Sequence, residues 1–87
     1  MDKHLFSVFD KLSEIYEPPF TEINRLTAIR RLTDLMQSNP QSPYAKFPDN
    51  YELVYVGTWD ELGGIALSST PETVLKLEEV NQTENKE

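Results

Sequence analysis

Cysteine is missing from all 87 residues of the chain. That excludes disulfides, thiolate metal sites and cysteine nucleophiles. Small secreted domains usually depend on disulfide staples, so the absence points to a reducing cytoplasm. Histidine is scarce as well: His4 is the only one, and its place near the N-terminus argues against a ligand or general-base role. The three glycines build neither a phosphate-cradling loop nor a nucleophile elbow. No apolar run reaches the roughly 7–15 residues of a signal-peptide core, nor the ~20 of a bilayer span. The expectation is a protein with no membrane segment, no metal and no cofactor.

Positive charge is also in short supply. Eight Lys and Arg stand against fifteen Asp and Glu, for a formal net charge of −7. Taking away the last ten residues removes Glu78, Glu79, Glu84, Glu87 and Lys86, leaving eleven acids against seven bases. The body is therefore acidic with or without its tail. Binding to duplex DNA draws its affinity from counterions released by a basic face, so a protein partner is the default and nucleic acid requires a local patch.

What the chain does have is enough for one small core. It is 38% hydrophobic and 10% aromatic, too apolar for wholesale disorder. Residues 1–80 read as a single domain and 81–87 as a flexible acidic tail. A domain this short buries only about 60% of the surface its unfolded chain exposes, and help from a partner or a second copy, as in a homodimer, is to be expected.

Residues 4–10 read as a strand, and Phe20–Ile23 as a short edge strand returning beside it after the helix-breaking Pro18-Pro19. Asn24 is a credible N-cap for a helix running to Ser38. Ala28, Leu32, Leu35 and Met36 fall at i, i+4, i+7 and i+8 along one apolar face, widened by Ile29. Arg30 and Asp34 are spaced to pair across one turn, and Asn39-Pro40 stops the helix. Residues 39–50 form a proline-punctuated connection, a candidate contact loop pinned by Tyr44 and Phe47. Tyr51–Trp59 is the clearest strand, and Gly63-Gly64 turns it into a returning strand, Ile65–Ser68. Thr70-Pro71-Glu72 can open a short helix docked by Val74, Leu75 and Leu77. The expected fold is α+β: a small, mostly antiparallel sheet of three to four strands packed on one main α-helix, with a short C-terminal helix or turn.

Catalysis has little to stand on. Asp60 and Glu61 could pair for hydrolytic acid/base work, but adjacent acids in a hairpin loop are ordinarily solvated, and no other positioned set is visible. The chain reads as a non-enzyme. Tyr51, Tyr55 and Trp59 alternate along one strand and would share a face. That face is core, or a protein interface anchored by Tyr and Trp, or a platform for single-stranded bases, with Arg25, Arg30 or Lys46 touching phosphates. At about 100° per residue, Arg30 lies about 140° and Arg31 about 240° from Arg25, so the helix carries no single basic stripe.

Several short runs follow one another in a fixed order over about residues 5–75. They are Leu5-Phe6-Ser7-Val8-Phe9-Asp10-Lys11, Tyr16, Pro18-Pro19-Phe20, Asn24 with Ala28-Ile29-Arg30, Tyr51-Glu52-Leu53, Val56-Gly57 and Trp59-Asp60. In this order they resemble the small non-structural protein of gokushovirus-type microviruses. The resemblance implies a phage early protein acting in the host bacterial cytoplasm, one that binds DNA or promotes the switch from duplex replication to single-stranded genome synthesis. The acidity of this chain fits contact with the viral or host replication machinery better than contact with duplex DNA.

Overall fold

The computed structural model describes residues 3–80, so the expected tail, 81–87, lies outside the described residues. In chain order the elements are β1 (Lys3–Asp10), β2 (Ile15–Tyr16), β3 (Phe20–Glu22), α1 (Arg25–Ser38), α2 (Pro43–Lys46), β4 (Tyr51–Asp60) and β5 (Gly64–Lys76). Short 3-10 turns cover Pro48–Asn50 and Leu77–Glu79. The strands form one five-stranded sheet in which every pairing is antiparallel. β1 pairs with β4 along one edge and with both β2 and β3 along the other. The extra strand arises because Pro18 and Pro19, which lack N–H donors, split the return segment in two. The turn before β2 is held by Asp10, whose Oδ1 accepts from the N–H groups of Leu12 at 3.0 Å and Ser13 at 3.2 Å. Glu14 completes it in the left-handed region, φ 62°.

The helix follows its sequence signals closely. Asn24 accepts from the Thr27 N–H at 2.9 Å and Thr27 Oγ1 accepts from the Asn24 N–H at 3.2 Å, a reciprocal capping box. Asn24→Ala is expected to lower stability by about 1 kcal/mol, read as an earlier urea midpoint with an unchanged slope. Ala28, Leu32 and Met36 join Phe6, Val8, Tyr51, Leu53 and Leu77 in one buried cluster. Leu35 is exposed, because the buried positions repeat every four residues and Leu35 sits about 100° from Met36. Arg30 and Asp34 form no ion pair among the described residues. Arg31 instead reaches Glu22 on β3 at 3.0 Å, its guanidinium 4.4 Å from the Phe20 ring centroid.

Two expectations are corrected. Residues 39–50 are not irregular throughout: Ser42 caps α2 by accepting from the Ala45 N–H at 3.3 Å, with Pro43 in the first turn. Tyr44 packs on the core and donates to the Glu17 carboxylate, and burial together with that bond pushes its phenol pKa upward. Phe47, expected to pin this segment, is 56% exposed. The second correction concerns Thr70-Pro71-Glu72, which opens no helix because β5 runs straight through it. Tyr55 pairs with Glu72 and Gly57 with Leu67, so residues 68–71 lie opposite Val56 alone. Pro71 is tolerated in that wide bulge on an edge strand, where its missing N–H breaks no ladder. Val74, Leu75 and Leu77 still pack on the core, as part of β5 and the turn after it.

The radius of gyration, 13.5 Å, exceeds the about 12 Å expected of a compact domain of this length. The extents of 45 × 28 × 17 Å describe a flat, elongated body.

Candidate functional site

The register between β1 and β4 decides which aromatic side chains can act together. Asp10 opposes Tyr51, Val8 opposes Leu53 and Phe6 opposes Tyr55, all on the face that meets the core cluster. The register then shifts: the next residue of β1, Leu5, opposes Gly57, leaving Val56 as an extra residue. One extra residue sends everything beyond it to the opposite face. Trp59, opposite Lys3, therefore faces away from the core cluster, and the expected common face of Tyr51, Tyr55 and Trp59 does not exist. Tyr51 is 9% exposed and belongs to the core. Tyr55 lies half-buried on the core side. Trp59 is 38% exposed on the other.

Trp59 acquires different neighbours. In the β4–β5 hairpin it opposes Ile65, and Gly57 opposes Leu67. Directly opposed residues share a face, and so do positions two apart. Trp59, Ile65 and Leu67 thus form one apolar patch near the hairpin end, with Leu67 73% exposed. The sequence carried a usable signal for this. With Asp60 and Gly64 closing the turn, counting back one residue on each strand pairs Trp59 with Ile65. Asp60 Oδ2 accepts from the Gly63 N–H at 2.7 Å, a bond that stabilises the hairpin turn.

Tyr55 lines a different feature, an open cleft of about 450 Å³ with His4, Asn24, Arg25 and Leu26. Its hydroxyl is hydrogen-bonded to His4 Nδ1 at 3.2 Å, and the Arg25 guanidinium lies 5.3 Å from its ring centroid. Arg25 also grips the Glu72 carboxylate with two bonds, at 2.9 and 3.3 Å. That contact raises the arginine pKa and lowers the glutamate pKa, the hydrogen bond first and the charge attraction with it. Of the expected contact residues, only Tyr55 and Arg25 come together. Arg30 is exposed on α1, and Lys46 is exposed at the end of α2, 5.9 Å from the Phe47 ring centroid. Neither lines this cleft.

A second cleft, of about 420 Å³, is lined by Asp10, Leu12, Phe47, Asp49, Asn50 and Tyr51. Asn50 Nδ2 donates to Asp10 Oδ1 at 2.7 Å. Desolvation pushes the Asp10 pKa up, but the bonds from Asn50, Ser13 and Leu12 outweigh it and hold the carboxyl below its ordinary value. Sequence reasoning missed this cleft, since it joins two turns about forty residues apart with no local motif between them. Among the described residues, no three or more His, Asp or Glu gather as a metal site, and no helix is long and apolar enough to cross a membrane.

The family model described as Phage ORF5 protein matches residues 3–80, nearly the whole chain. The chain belongs to this phage ORF5 family. It is accordingly a phage protein, and the match spans both clefts and the β4–β5 hairpin. No curated protein and no solved structure matches it.

Proposed function

We propose that this phage protein is a non-enzymatic accessory factor. In this reading it modulates viral DNA replication or single-stranded genome synthesis by contacting a replication protein, viral or host, in the bacterial cytoplasm. The observation that carries the reading is the hairpin patch. Trp59, Ile65 and Leu67 share one face outside the core cluster, and exposed aromatic and aliphatic residues of this kind are the anchors of protein interfaces. A net charge of −7 favours a protein partner over phosphates. The process itself comes from the resemblance to the small non-structural protein of gokushovirus-type microviruses. Trp59→Ala combined with Leu67→Ser, introduced into the phage, is expected to leave the protein folded and to cut the yield of single-stranded progeny DNA severalfold. An unchanged yield contradicts the reading.

A second reading is supported by the cleft around Tyr55. An aromatic ring beside a guanidinium can hold a stacked base of single-stranded DNA, worth about 1–3 kcal/mol. Arg25 is already engaged by Glu72, which reduces its pull on phosphate. Saturable binding of a fluorescent oligonucleotide at moderate salt, lost in Tyr55→Ala, supports this reading; no binding at high protein concentration removes it.

A further inference from the structure

We propose that the chain forms a two-fold dimer in which the outer edge of β5, at residues 64–68, pairs with the same edge of a second copy. The dimer is independent of the function proposed above. β5 stands at the end of the strand order and, among the described residues, pairs with β4 alone. Alternate residues of an edge strand turn their N–H and C=O groups away from the sheet, a template for another strand. β5 runs for 13 residues, about twice the usual strand length of roughly 5–6. Ile65, Ala66 and Leu67 are exposed in succession. Successive side chains point to opposite faces, so this stretch is bare on both.

The two halves of β5 differ. The second carries Pro71, Glu72 and Lys76, and residues 68–71 bulge against β4. Proline, charge and bulges are the devices that keep sheet edges from pairing. The first half has none of them. From Leu62 to Pro71 no residue is charged, in a chain of net charge −7. Two copies can therefore meet here without setting like charges opposite each other.

The residue order selects a second copy over a foreign strand. A two-fold axis between antiparallel strands sets each residue opposite its mirror position in the sequence. The run Gly64-Ile65-Ala66-Leu67-Ser68 reads small, aliphatic, small, aliphatic, small. An axis at Ala66 places Ile65 opposite Leu67 and Gly64 opposite Ser68, like against like in both cases. Opposed residues share a face, so the row of Trp59 and Ile65 in one copy continues into Leu67 of the other. The two hairpin patches become one larger surface. The pairing also closes on itself. The far edge of the sheet is made by β2 and β3, two and three residues long and split by Pro18-Pro19, so it offers no site for a filament to grow.

A five-residue strand pair lies at the small end of specific interfaces, so the dimer is expected to dissociate at about 10–100 µM. Sedimentation equilibrium of the full chain up to about 1 mM is expected to show monomer and dimer and no larger species. Leu67→Lys places a charge on a side chain 73% exposed in the monomer. It is expected to weaken association about tenfold or more with an unchanged circular dichroism spectrum. The chain has no cysteine, so an introduced one can bond only to its own copy. Directly opposed Cα atoms lie about 4.5–5.5 Å apart, within disulfide reach. Ala66→Cys, on the axis, is therefore expected to give a disulfide-linked dimer under mild oxidation. Thr73→Cys, exposed on the same strand, is expected to stay monomeric. Monomer alone at the highest concentration would overturn the proposal. So would a dimer that Leu67→Lys leaves unchanged, or one that Thr73→Cys cross-links as readily as Ala66→Cys, since either places the contact on another surface. Amide protection at 64–68 that arises only when a different protein is added would give the edge to a foreign strand and overturn the proposal as well.

Discussion

Phe6→Ala is expected to remove about 3–5 kcal/mol of folding stability, because Phe6 is the largest fully buried side chain among the described residues. Phe6 is fully buried in the middle of β1. Its ring meets Tyr55 edge-on at 5.5 Å, Phe20 at 6.2 Å and His4 at 6.5 Å between centroids. Four aromatic side chains from three strands thus converge at one point, and two of them, His4 and Tyr55, line the cleft beside Arg25. Truncation forfeits the transferred area and leaves a cavity that flat, stiff rings refill poorly. A domain of this size holds roughly 4–13 kcal/mol in total, so the variant is expected to melt about 15–30 °C lower. Phe6→Leu keeps much of the volume and is expected to cost less than half as much. Urea denaturation of the three proteins checks the ranking. A loss below about 1 kcal/mol for Phe6→Ala would mean the core is centred elsewhere.

Gly57→Val is expected to cost about 2–5 kcal/mol and to do so locally. Gly57 has φ 157° and sits where β5 passes so closely that a Cβ would lie 2.4 Å from the Ala66 carbonyl oxygen and 2.9 Å from Leu67 Cα. Both obstacles are backbone, so neither can swing aside. The strands must separate, and with them the Trp59–Ile65 and Gly57–Leu67 pairs that make the apolar patch. Faster amide exchange confined to residues 57–67, with β1 and the first half of β4 still protected, is the expected pattern. The Asp10 cleft lies at the far end of β4, and its Asn50–Asp10 bond is expected to survive. Uniform exchange across the whole sheet would contradict the local character of the effect.

The same glycine explains what the sequence could and could not reveal. The helix was legible down to its cap, because Asn24, the four-residue apolar repeat and Asn39-Pro40 act within a few residues of each other. The hairpin was legible from Gly63-Gly64. The aromatic face was misplaced because strict alternation assumes an unbroken strand. The extra residue at Val56 is visible only when β1 and β5 are paired against β4, which is non-local information. Thr70-Pro71-Glu72 misled for a related reason: a good helix-start signature was overruled by its position opposite the bulge on an edge strand. Of the contact residues, Tyr55 and Arg25 meet because α1 begins beside β4, while Arg30 and Lys46 belong to other surfaces. The Asp10 cleft left no trace in the sequence, since Asp10 and Asp49 approach only after β1 and β4 have paired.

The most direct measurement replaces Trp59 by a photo-crosslinking phenylalanine in phage-infected cells and identifies what it captures. A covalent adduct with a protein of the replication machinery, absent when the same group is placed at the buried Leu53, is the expected product. Adducts with DNA alone, or none at all from a folded and expressed protein, would contradict a function exercised through protein contact.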